Sequence, residues 1–106
     1  MRQAARLSVP CLCFAIGLFI SGFLNTGDDV VRGNMGLKDQ TMALRWVQEN
    51  IGNFGGDPKM VTIMGQSAGG SSVHLHMFSP LSEGKFSCCL LLLTTGDSGK
   101  TMVFTM

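Results

Sequence analysis

Gly65-Gln66-Ser67-Ala68-Gly69 is the stretch of this chain whose residue types and spacing could do covalent chemistry. A G-x-S-x-G run, the nucleophile elbow, holds a serine on a sharp strand-to-helix turn, so that its hydroxyl stands clear of the sheet. The flanking glycines, Gly65 and Gly69, would let the strand and helix backbones approach closely. The helix start then aims backbone N–H groups at a developing oxyanion, and the N–H of Ala68 is the first such donor. With 14 glycines and nine serines in 106 residues, about 0.15 matches are expected by chance. The motif alone is weak, and its context has to carry it.

That context is legible. Met60-Val61-Thr62-Ile63-Met64 is short, β-branched and apolar at alternate positions on both sides. It reads as a strand covered on both faces, as in a parallel sheet. Gly65 to Gly69 then turns the chain into a helix from Ala68 to about Phe78, which Pro80 ends. Upstream, Leu37, Thr41, Leu44, Val47 and Ile51 recur at three- and four-residue steps and share one helix face. Asp39 is expected in the first turn of that helix, where the dipole favours an acid, with Gly52 and Asn53 as its stop. Trp46 and Met42 flank the apolar face and read as core, and Gln66 as facing the interior. Asn25 to Asn34 and Phe54 to Pro58 are turn-rich loops. Helix, strand, turn and helix in this order predict an α/β fold.

Other candidate chemistry falls away. Net charge is +1, from eight basic and seven acidic residues, so no basic stripe exists to hold nucleic acid. Hydrophobic residues make up 45% and charged residues 14%, too apolar for a solvated disordered tail. His74 and His76 are two apart on one helix and do not share a face, so no metal site is expected, and no cofactor. They read as satisfied or solvent-facing helix histidines. Ser71 and Ser72 read as small residues for close helix packing. Cys11, Cys13, Cys88 and Cys89 match no zinc spacing; they are either buried free thiols or a bridge between the two ends. Gly96-Asp97-Ser98-Gly99-Lys100-Thr101 ends like a phosphate-binding loop, but Thr94 stands where its first glycine belongs.

The first residues carry Arg2 and Arg6, then an uncharged stretch from Leu7 to Leu24. This has the charged and apolar regions of a secretory signal, without a tidy cleavage site. A buried element and a marginal membrane span are the other readings, and any membrane association would run through residues 7–24.

Phe54-Gly55-Gly56, then Val61-Thr62-Ile63-Met64 and Gly65-Gln66-Ser67-Ala68-Gly69, closely resembles the signature of type-B carboxylesterases and cholinesterases. Gly33-Asn34-Met35-Gly36-Leu37-Lys38-Asp39-Gln40, Ala43-Leu44-Arg45-Trp46-Val47 and Asn50-Ile51 are similar to the segment just upstream in that family. Ser79-Pro80-Leu81-Ser82, with Gly84 and Phe86, is similar to the segment just downstream. The likeness runs from about Gly22 to Phe86 and is greatest to insect-type esterases. It implies a partial α/β-hydrolase fold with an incomplete sheet, and carboxylic-ester hydrolysis through an acyl-enzyme on small-molecule esters. It makes Ser67 the nucleophile and Ala68 an oxyanion-hole donor, with Gly65 and Gly69 shaping the elbow.

Two departures from the family pattern divide the chain into an apolar end (1–21), a partial esterase domain (22–86) and a divergent tail (87–106). The family's triad follows the order serine, acid, histidine. After Ser67 the acids are Glu83 and Asp97, and no histidine follows either. The expectation is an esterase segment, of secreted type if the apolar end is a signal, that is inactive as these 106 residues. A non-catalytic cholinesterase-like interaction domain is the alternative, weakened because Ser67 is kept.

Overall fold

The computed structural model describes residues 20–94 and 101–105. A single helical turn, α1 (Ile20–Phe23), leads into a loop closed by an antiparallel bridge between Asn25 and Arg32. Short side chains hold that loop: Asn25 Oδ1 accepts from Gly27 N at 2.8 Å and Asp28 Oδ1 from Val30 N at 2.9 Å. Gly33 (φ 72°) and Asn34 (φ 56°) then turn the chain through the left-handed region into α2 (Met35–Asn50).

The apolar stripe read from the sequence is the buried face of α2, with Thr41, Leu44 and Val47 inside and Ile51 just beyond. Other expectations for this helix need correcting. It starts two residues before Leu37, so Asp39 lies past the first turn and gains nothing from the dipole. Gly52 and Asn53 do not stop it; they sit inside a 3-10 turn, Ile51–Phe54, closed by Gly55 at φ 80°. Met42 and Trp46 are 66% and 43% exposed, not core, because they lie one turn apart beside the buried stripe. Trp46 rests on Phe54 instead, ring centroids 5.9 Å apart.

A second 3-10 turn, Pro58–Met60, takes Met60 out of the expected strand. Asp57 caps it, accepting from Lys59 N at 2.8 Å, and Pro58 suits its first position. The strand β1 is therefore Thr62–Gln66, two residues later than the apolar run suggests. It is followed by α3 (Ala68–Phe78), a short turn at Pro80–Ser82, and β2 (Cys88–Thr94). β1 and β2 are parallel, with Ile63 opposite Cys89 and Gly65 opposite Leu91, so β1, α3 and β2 form a β-α-β unit. β3 (Thr101–Thr105) runs antiparallel on the far side of β2, giving the order β1-β2-β3.

The core lies between α3 and one face of this sheet. Val73, Cys89 and Leu91 are buried there, with Ile63, Met77 and Phe86 packed around them. The opposite face of β1 is not covered: Thr62, Met64 and Gln66 are exposed. Cover on both faces, and an inward Gln66, are thus corrected. A doubly apolar strand has one side packed here, and among the described residues nothing shields Met64, which is 63% exposed.

Cys88 and Cys89 are free thiols, Cys89 buried; Cys11 and Cys13 lie outside the described residues, as does most of the apolar stretch from residue 7. Among the described residues no helix is long and apolar enough to cross a membrane. Gly96 to Lys100 also lie outside them, and Thr101 opens a strand where a phosphate-binding loop would need a helix.

Candidate active site

Ser67 stands between β1 and α3, with φ 54° and ψ −121°. A non-glycine residue pays for such a backbone, and the surroundings must hold it there. They do so from both sides. The Ser67 N–H donates to the Leu92 carbonyl at 3.0 Å, carrying the β1–β2 ladder one residue past Gln66. Its own carbonyl accepts from Ser71 N at 3.0 Å, the first bond of α3. The chain thus changes from strand to helix within one residue, and the Ser67 side chain is left exposed at the bend.

Gly65 makes that bend sterically possible. A Cβ on Gly65 would run into the carbonyl group of Gly69 and lie 2.8 Å from Gly70 N. A Cβ on Gly69 would meet nothing within 4 Å, so the two glycines are not equivalent: Gly69 contributes its backbone as the surface that Gly65 lets approach. Ala68 is the first residue of α3, so its N–H has no helical carbonyl to bond and points out of the helix start. The neighbouring hydroxyls are spent along the helix: Ser72 Oγ donates to the Ala68 carbonyl at 3.0 Å and Ser71 Oγ to that of Ser67 at 3.5 Å.

Neither histidine is brought to Ser67. They sit seven and nine residues along α3, about 10 and 13 Å of axial rise away. His74 is exposed and meets Phe78 edge-on, centroids 5.0 Å apart. His76 is buried at the other end, its Nδ1 2.7 Å from Ser82 Oγ and its Nε2 2.6 Å from Gln40 Oε1. Burial pushes its imidazole below the ordinary value of 6.5. A cavity of about 390 Å³, lined by His76, Phe78, Glu83 and Phe86 among others, and a second, by Lys38, Thr41 and Leu81, open at that same end. Neither is lined by Ser67 or Ala68.

Sequence reasoning missed three residues that frame this region. Gln48 Nε2 donates to the Pro58 carbonyl at 2.8 Å and to that of Lys85 at 2.9 Å, tying α2 to the approaches of β1 and β2. Gln40 and Ser82 hold His76. One signal was available for Gln40, an amide falling on the buried side of α2 beside Thr41 and Leu44. Nothing local marked Gln48 or Ser82.

A carboxylesterase-family model matches residues 14–92, most of the chain. The chain belongs to the carboxylesterase family. Among its relatives are venom carboxylesterase-6 of Apis mellifera, 68% identical over 65 residues, 61% of this chain and 12% of that protein. A carboxylic ester hydrolase of Bombus ignitus is 66% identical over 65 residues, again 61% and 12%. An acylcarnitine hydrolase of Rattus norvegicus is 58% identical over 80 residues, 76% of this chain and 14% of that one. This carboxylesterase-family chain therefore spans about an eighth of the length of these curated relatives.

Proposed function

We propose that this chain is the nucleophile-elbow segment of a serine carboxylesterase with an α/β-hydrolase fold, and that Ser67 is its nucleophile. The observation that carries the reading is the strained backbone of Ser67 between a parallel strand and a helix start, with Gly65 closing the gap. In this reading the Ser67 hydroxyl attacks the carbonyl of a small-molecule ester as a base takes its proton. The alkoxide leaves with a proton, and water then hydrolyses the acyl-serine. The Ala68 N–H faces the oxygen on which negative charge develops. Secretion belongs to the same reading, through the basic and apolar pattern of residues 2–24.

In this reading neither histidine serves Ser67 as its base. The chain has two histidines; one is turned to solvent beside Phe78 and the other has both ring nitrogens engaged far along α3. A serine without a base is a poor nucleophile, and what survives the loss of a triad member is about 10³ to 10⁴ over water. The chain should therefore acylate in traces and not turn over.

An activated aryl ester, with intact-mass and peptide mass spectrometry, tests this. A small acyl adduct on Ser67 is expected, raised by added imidazole acting as the missing base and absent in Ser67→Ala. No adduct on Ser67 even with imidazole would overturn the nucleophile assignment. Fast turnover without imidazole, lost in Ser67→Ala, would overturn the inactive state.

A further inference from the structure

Three elements meet at one buried imidazole that the proposed chemistry does not use. His76 comes from the last turn of α3, Gln40 from the second turn of α2, and Ser82 from the turn after α3. All three are buried, Ser82 completely. We propose that Gln40, His76 and Ser82 form a pH-sensitive latch, in which the neutral imidazole holds the end of α3 against α2 and the Pro80–Ser82 turn, and protonation of His76 loosens that hold.

The partners decide the ring's state. Gln40 Oε1 can only accept, so Nε2 carries the hydrogen and donates across 2.6 Å. Nδ1 is then bare and accepts from the Ser82 hydroxyl across 2.7 Å. No buried side-chain nitrogen or oxygen among the described residues is orphaned. Adding a proton to Nδ1 reverses that bond. Ser82 Oγ must now accept, and its own hydrogen turns into a fully buried site in which it has no second partner. A positive charge is also placed where no carboxylate bonds the ring.

The charged neighbours do not rescue it. Glu83, on the turn side, shares a cavity with His76 but is exposed to solvent. Lys38, on the α2 side, shares the other, and its ammonium is bonded to the Gly33 carbonyl at 3.2 Å. Asp39 of α2 and His74 of α3 are both exposed. With the imidazole held below its unfolded value of 6.5, the latch contributes fully above that pH. It is lost as pH falls from there through the folded value, because the unfolded state takes up the proton first. The Gln40 bond joins the end of α3 to α2, while the start of α3 carries Ser67.

Hydrogen exchange read by mass spectrometry on the 106-residue chain tests the latch, with intrinsic rates corrected for pH. Protection of the peptide covering 72–82 should fall between pH 7.5 and 5 by up to about tenfold per pH unit, the limit for one proton. In His76→Gln, which cannot titrate, the fall should vanish. An equal fall in both, no fall in the wild type, or an α3 unprotected at pH 7.5 would each overturn the proposal. Should His76→Gln fail to fold, the imidazole resonances of the wild type decide. His76 should appear as the Nε2–H tautomer and titrate below the ordinary imidazole value of 6.5; titration at or above that value would overturn it.

Discussion

Ser67 occupies a backbone conformation that only glycine adopts without cost, φ 54° and ψ −121°, and the fold maintains it by a bond to Leu92 on one side and to Ser71 on the other. Backbone strain of this kind stores about 1–3 kcal/mol. Ser67→Gly should therefore raise the urea midpoint, by about 1 kcal/mol of stability, while abolishing the acyl adduct. Unchanged or lower stability would mean that the bend is not strained. The two elbow glycines should respond with opposite signs. Gly65→Ala drives a methyl into the Gly69 backbone, which cannot give way as a side-chain tip would, and should cost about 1–3 kcal/mol. Gly69→Ala points into open space in a helix and should be neutral or stabilising by up to about 1 kcal/mol. Denaturation of the pair side by side reads the difference directly.

At the scale of elements, the amide of Gln48 does what no turn motif does here: it joins α2 to the segments that deliver both parallel strands. Both of its partners are carbonyls, so only a donor serves. Gln48→Ala should cost about 1–3 kcal/mol for two abandoned acceptors in a half-buried place. Gln48→Glu, nearly isosteric, should be worse than Ala, because a carboxylate would face two carbonyl oxygens. Thermal melts followed by circular dichroism distinguish these. If Glu were tolerated as well as Gln, shape and not hydrogen bonding would be the link.

For the whole molecule the deciding feature is a sheet with one dressed side. α3 covers Ile63, Cys89 and Leu91, while Met64 on the reverse of β1 is left 63% exposed and, among the described residues, β1 has no neighbour on its outer edge. Apolar strand surface of this kind, beside an open edge, favours self-association. The chain should bind a hydrophobic dye and associate at micromolar concentration. Met64→Thr, which keeps strand propensity and removes apolar area, should lower both. Dye binding unchanged by Met64→Thr would place the dye at other exposed apolar side chains, such as Met42 and Trp46 on α2.

Features written in near neighbours were legible in the order of the amino acids. The three- and four-residue recurrence from Leu37 to Ile51 names the buried side of α2, since helix geometry alone places those side chains together. The glycine spacing around Ser67 names the bend, since one residue must leave the strand and enter the helix there. Tertiary structure decided what depends on distant partners. Met60 left β1 because Asp57 and Pro58 build a competing turn that the apolar run does not reveal. Trp46 stayed outside because Leu44 and Val47 already fill the contact that α2 makes. Gln66 faced outward because pairing of Gly65 with Leu91 sets which side of β1 meets α3. His76 became buried against Gln40, 36 residues away, a contact invisible to any local pattern because only chain folding brings those two side chains together.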